Sequence, residues 1–190
     1  MSESPAAARG QEVRRRLLAA AVELIPERGW TAVSTRVLAE RAGVTPSVVH
    51  YHFPSLSALL RDAVVVAMRE VLAVADPALS SARSPGELVD TLLGSVEQYT
   101  GADPLSLLFI EAALAAARDE TLRAGMGEVV AGFQQRLTRA LDEHGVPAAE
   151  ATAAVLAAAV DGLLLHRSLA PAPDVEALTV VLHRLVDQDR

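Results

Sequence analysis

The sequence predicts an all-α protein of about nine helices, with a three-helix head at the N-terminus and a longer helical body. Three observations predict it. Apolar residues recur at helical spacing along nearly the whole chain, with almost no alternating strand pattern. Helix start and stop signals punctuate it at regular intervals. The segment VSTRVLAERAGVTPSVVHYHF, residues 33–53, reads as two short helices joined by a glycine turn, the helix-turn-helix pattern.

Taken in order, residues 1–8 read as a disordered tail. A helix over 10–28 carries Val13, Leu17, Ala20, Ala21 and Leu24 on one face, and Pro26 should kink or loosen its last turn. Trp30, after Gly29, is expected to staple this helix to the next. Ser34 or Thr35 caps a helix over 34–42, which Gly43 ends because glycine tolerates the left-handed conformation. Thr45 caps a third helix over 45–51, with Pro46 in its first turn. Val44, Val48 or Val49, and Phe53 are expected to pack inward, and Thr45, Pro46, Ser47, His50 and Tyr51 to point outward. Tyr51 reads equally well as a core aromatic.

Ser55 starts a long apolar helix over 55–75. Ser84-Pro85-Gly86-Glu87 is a capping box with proline at the first helical position, opening a helix over 85–100. Asp103-Pro104 starts one over 104–117, and a helix over 119–143 is closed by His144-Gly145. Val146-Pro147 starts one over 148–169, and Asp174 with Glu176 opens the last, over 174–187.

Composition narrows the function. The chain has 190 residues, 51% of them hydrophobic, and no cysteine, so it has no disulfide framework, no thiolate nucleophile and no cysteine metal site. All 17 basic residues are arginine, and the net charge is −7. Residues 1–60 carry seven Arg against five acidic residues, while 61–190 carry ten against nineteen. A mildly basic head on an acidic body fits nucleic-acid contact at one end only. The N-terminal MSESPAAARG has no apolar signal-peptide core, which fits a cytoplasmic protein. The longest uncharged stretch, Ala42 to Leu60, holds two His and two Pro and is a poor membrane span. No phosphate-binding glycine loop, paired acid-base motif or metal-spaced cluster is present, so no enzyme, cofactor or metal is expected.

The runs LLAAAVELIPERGW, LAERAGVTPSVVHYHF and PSLSALL together resemble the TetR-type transcriptional regulators. The resemblance covers about the first third of the chain. It implies a DNA-binding domain over 9–54 and a ligand-binding and dimerisation domain over 55–190. It implies Arg36 as a base reader, since an arginine fork can hold O6 and N7 of guanine. Thr35, His50, Tyr51 and His52 become phosphate contacts, and Ser34, Thr45, Pro46 and Ser47 complete the DNA-facing set. The N-termini near Ser34 and Ser55 offer further phosphate sites. Where members of the family carry a lysine after the Phe-x-x run, this chain has Leu56, and His50 replaces the first aromatic. Electrostatic affinity then falls to Arg36, Arg41, Arg9 and Arg14 to Arg16, and predicts a shallow salt dependence.

The resemblance also implies a homodimer on a pseudo-palindromic double-stranded operator, a small-molecule effector that releases it, and repression as the default. Ala154, Ala158 and Gly162 form a smooth stripe, and Leu178, Val181, Leu182 and Leu185 a second apolar face, suited to a four-helix dimer interface. Periodicity alone equally allows these faces to pack within one chain. Met68, Gln98, Tyr99, Phe109, Met126 and Phe133 are pocket candidates, each also readable as plain core. Asp161 and His166 interrupt an apolar helix. Asp161 must be paired or hydrogen-bonded if buried, to a ligand, a partner chain or a neighbouring helix. With 3% aromatic residues an aromatic cage for a cation is not expected, and an apolar or amphipathic effector fits better. The alternative is a helical dimeric interaction protein with a degenerate DNA-binding head.

Overall fold

The structure is a computed structural model describing residues 5–170 and 174–187. Among these residues it has ten α-helices, one 3-10 turn and no strand. The helices are α1 (Pro5–Arg28), α2 (Thr35–Arg41), α3 (Pro46–His52), α4 (Leu56–Ala73), α5 (Asp76–Ser81), α6 (Pro85–Glu97), α7 (Pro104–Ala116), α8 (Glu120–Glu143), α9 (Ala149–Arg167) and α10 (Val175–His183). The 3-10 turn is Trp30–Ala32.

Two elements differ from the sequence expectation. Helix α1 takes in Pro5 to Ala8, where a disordered tail was expected. Proline is tolerated in the first turn and the alanines after it are the best helix formers. The remainder of that tail lies outside the described residues, as do residues 171–173 of the Ala170–Pro173 spacer. The tenth helix, α5, lies between the helices expected over 55–75 and 85–100, where none was expected. It opens with the same Asp-Pro signal that starts α7, and the Ser80 hydroxyl donates to the Asp76 carbonyl at 2.8 Å. Six residues are too few for periodicity to register. Pro26 lies within α1, which continues to Arg28.

The chain divides into two compact units, one of residues up to Ala67 with Leu107–Met126, the other of Met68–Ser106 with the residues from Gly127 on. In the first, α1 packs on α2 and on the 3-10 turn, and α2 packs on α3. Leu17, Leu24, Ile25, Leu38, Phe53 and Leu59 are fully buried there. In the second, α6 packs against α5, α9 and α10. Its core gathers Leu88, Leu92, Leu137, Leu141 and Leu156, with Leu182 of α10 and Val186 just beyond it.

Capping explains the boundaries. Ser34 accepts from the Val37 amide, Ser55 from Ala58, Ser84 from Glu87 and Asp174 from Glu176. The box at Ser84 closes one residue earlier than drawn, because Glu87 accepts from the Arg83 amide at 2.8 Å. Thr45 departs from expectation: its hydroxyl meets the Ser47 hydroxyl at 2.9 Å and caps no backbone amide. Pro46 at the first helical position does not account for this, since Ser84 caps α6 with Pro85 in the same place; the Thr45 hydroxyl is instead taken up by Ser47.

The α2 stop is a Schellman motif. The Val44 amide donates to Ala39 and the Gly43 amide to Glu40, with Gly43 at φ 64°. The second glycine with a backbone role is Gly101, at φ 79°. A Cβ there would stand 2.5 Å from the Ser168 nitrogen, so the α6–α7 loop can meet the end of α9 only through glycine. Arg167 secures the same junction by donating to the Val96 and Tyr99 carbonyls at 2.6 and 2.8 Å.

Candidate nucleic-acid interface

Helix α3 is anchored by one side and free on the other. Val49 is buried, and the Phe53 that follows it is buried too. Thr45, Pro46, Ser47, His50 and Tyr51 are exposed, and His52 is half-buried. Tyr51 is 85% exposed, so its ring is not part of the core, and it meets the His52 ring edge-on at 5.1 Å. At the start of α2, Ser34 and Arg36 are exposed and Thr35 is half-buried. The face formed by α3 is thus a set of hydroxyls, imidazoles and a phenol, groups that donate to phosphate oxygens or base edges without formal charge.

The arginines expected to supply charge divide into two groups. Arg41 is held by Glu27 at 2.6 Å and Glu23 at 3.0 Å, which raise its pKa while it lowers that of Glu27. Arg16 donates to the Ala42 and Gly43 carbonyls that end α2. Arg15 pairs with Glu12 at 2.7 Å, and Arg14 with Asp62 at 2.6 Å. Only Arg9, Arg28 and Arg36 of the head have no ion-pair or hydrogen-bond partner among the described residues. Sequence reasoning missed this division, because the partners lie 14 to 48 residues away in all but one case.

Residues 107–126 join the head's compact unit. The Trp30 amide donates to the Glu111 carboxylate at 2.8 Å, and Arg61 of α4 pairs with Asp119 at 2.9 Å. Asp119 also caps α8 by accepting from the Leu122 amide, and that bond, then Arg61, holds its carboxyl below the usual range.

The expected pocket residues are scattered. Phe109 and Met126 belong to the first unit, and Met68, Gln98, Tyr99, Phe133, Asp161 and His166 to the second. Phe133 is buried in the second unit's core, Gln98 and His166 are exposed, and Met68, Tyr99, Phe109 and Met126 are half-buried. A cavity of about 310 Å³ in the second unit is lined instead by Arg69, Leu72, Asp76, Glu128, Val129 and Arg136, with Ala73 and Gly132. Arg136 pairs with Asp76 there at 2.7 Å. Asp161 is solvent-accessible as a residue, yet partial burial of its carboxyl pushes its pKa up.

Of the expected dimer residues, Ala154, Ala158, Val181 and Leu185 are exposed, and Gly162 and Leu178 half-buried. Leu182 is buried in the chain's own core beside Val186. Val155, Leu165, Leu169 and Val180 add large exposed apolar side chains. Helix α9 is long and apolar enough, by length and composition alone, to cross a membrane, and most of it is unburied. Among the described residues no group of His, Asp and Glu could hold a metal ion.

Known proteins match over nearly the whole chain. The family model for bacterial regulatory proteins of the tetR family matches residues 17–63, and the model for the tetracyclin repressor-like C-terminal domain matches 83–188. A transcriptional regulator of Streptomyces coelicolor A3(2), SCO7518, superposes with a TM-score of 0.77 at 30% identity, over 93% of this chain and 99% of that one. The multidrug binding protein EbrR, solved with imidazole, gives 0.69 at 29% identity, over 93% and 96%. The HTH-type transcriptional repressor KstR of Mycolicibacterium smegmatis is 29% identical over 106 residues, 55% of this chain and 52% of that protein.

Proposed function

We propose a mechanism for a chain that belongs to the TetR family of bacterial regulatory proteins and is a ligand-responsive, DNA-binding transcriptional regulator. It acts as a repressor that binds a pseudo-palindromic operator as a homodimer and leaves it when a small molecule binds. Residues 9–54 read the DNA, and 55–190 bind effector and partner.

The observation that carries this reading is the free face of α3 beside Arg36. Ser47, His50 and Tyr51 are exposed on one short helix whose other side is buried through Val49, and Thr45 is exposed just before its start. Arg36 reads a base, and Ser34, Thr35, Tyr51, His50 and His52 meet phosphates, with Pro46 against the groove wall. Two copies of α3 sit in successive major grooves, roughly 34–36 Å apart.

The exposed apolar chains of α9 and α10 support the dimer. Ala154, Ala158, Gly162, Val181 and Leu185, with Leu178, meet the same residues of a second copy, which explains why so apolar a helix as α9 is left uncovered in one chain. The effector is apolar or amphipathic. The cavity between α4, α5 and α8, where Leu72 and Val129 stand beside Arg69 and Glu128, suits the amphipathic rather than the purely apolar member of that class, and EbrR, solved with malachite green, supports a small organic effector. A ligand that favours the arrangement with poor DNA affinity weakens operator binding by its preference for that state.

The test is selection of random duplex DNA on the purified protein. An enriched palindrome whose binding is weakened in Arg36→Ala is the expected result. No enrichment at low salt would instead support a dimeric interaction protein whose head no longer reads DNA, for which Leu56 and the scarcity of free guanidinium groups would be the structural basis.

A further inference from the structure

We propose that Arg14 is a positioning residue for the recognition helix, and that its partner Asp62 raises operator affinity despite its negative charge. The inference rests on the DNA-binding reading of α3. Arg14 leaves α1 and makes three separate contacts. Its Nη1 donates to the His52 carbonyl at 3.3 Å, its Nη2 meets Asp62 Oδ2 at 2.6 Å, and its guanidinium carbon lies 4.2 Å from the centre of the Phe53 ring. His52 is the last residue of α3, Phe53 follows it, and Asp62 lies in the second turn of α4.

The final carbonyls of a helix lack intrahelical partners and carry its negative dipole end, so a guanidinium there is favourable twice over. A planar fork is needed to do all this at once. One edge serves the carbonyl, another the carboxylate, and the flat face covers the aromatic ring, which lysine cannot reproduce. Arg14 therefore ties α1, the end of α3 and the start of α4 at one point. Phe53 is nearly fully buried, so the ring under the guanidinium is itself fixed. Both Arg14 and Asp62 keep more than two fifths of their side-chain surface exposed, which makes the pair a weak contributor to overall stability while leaving its geometric role intact.

The sign of the Asp62 effect separates this from plain electrostatics. Removing an acidic residue from a DNA-binding head strengthens binding if charge alone matters. If Asp62 holds Arg14 in place, Asp62→Asn weakens binding by about fivefold, the upper end of what such a pair supplies. Arg14→Gln then shows a similar loss with the slope of log K against log salt unchanged, because no phosphate contact has been removed.

The measurement is fluorescence anisotropy on the duplex enriched by the wild-type protein, for wild type, Asp62→Asn, Asp62→Glu and Arg14→Gln at several salt concentrations, beside amide hydrogen exchange of residues 49–53. Weaker binding by Asp62→Asn, partial recovery in Asp62→Glu, an unchanged slope in Arg14→Gln and faster exchange at the end of α3 are expected. Equal or tighter binding by Asp62→Asn, or a slope in Arg14→Gln reduced by about one phosphate per head, would make Arg14 a DNA contact and overturn the proposal. If the wild type enriches no duplex, the DNA-binding reading fails, and exchange decides the rest: unchanged protection of residues 49–53 in Arg14→Gln overturns the positioning role on its own.

Discussion

Arg41 lies against Glu27 at 2.6 Å, so a side chain that reads in the sequence as positive charge for DNA is committed to holding α2 against α1. Arg36, five residues earlier, carries no partner among the described residues. The same residue type on one short helix thus has two roles, set by which side of the helix it leaves.

That difference gives the first prediction. Arg36→Ala should lower operator affinity by about 1–3 kcal/mol, the value of a bidentate base contact, with the melting temperature unchanged. Arg41→Ala should lower the melting temperature, with a smaller effect on binding. Anisotropy titrations and thermal unfolding of both variants distinguish the roles, and equal binding losses with no stability change would show that Arg41 also reaches DNA.

Salt dependence is the second. With Arg14, Arg15, Arg16 and Arg41 engaged within the head, three guanidinium groups, Arg9, Arg28 and Arg36, lack a partner among the described residues, and of these Arg9 and Arg36 are the two assigned to DNA. A dimer neutralising four phosphates should show a slope of log K against log salt of about −3.6, at about 0.9 per phosphate. A slope steeper than about −7 would mean that the internal pairs open on DNA.

The third concerns Gly101. Alanine there is strained by φ 79° and meets the Ser168 nitrogen at 2.5 Å, and backbone cannot move aside as a flexible side chain would. Gly101→Ala should destabilise the protein by more than about 1 kcal/mol in a urea melt. Gly94→Ala, at a helical glycine with open space around it, is the control and should be neutral or stabilising.

The fourth concerns pH. The Leu122 amide and Arg61 depress the Asp119 carboxyl. A depressed carboxylate contributes stability above its unfolded pKa, about 3.9, and loses it as pH falls through the lower folded value. Asp119→Ala should therefore cost about 1 kcal/mol at neutral pH, as loss of a cap does, and the difference from wild type should vanish in strong acid. Burial acts the other way on Asp161, favouring its neutral form. Asp161→Asn should be stabilising at neutral pH, with the gain fading as pH falls through the carboxylate range. Urea melts from pH 7 down to about 3 test both signs.

The sequence by itself determined the helix-turn-helix. Ser34, Gly43 and Pro46 act on the residues beside them, and the Val49 and Phe53 pattern sets one face inward, so local chemistry was enough to place α2 and α3. It also determined that the last helices carry more apolar surface than a surface helix needs. Only the tertiary structure decided which charges remain free. Arg14 finds Asp62 across 48 residues and Arg16 finds the α2 carbonyls across 26, and nothing in a residue's identity names a distant partner. Tertiary packing likewise turned Leu182 inward while leaving Val181 outside, and required glycine at position 101 because another helix ends there. Short-range signals act through a single turn of backbone, whereas long-range pairings depend on where the folded core brings the helices.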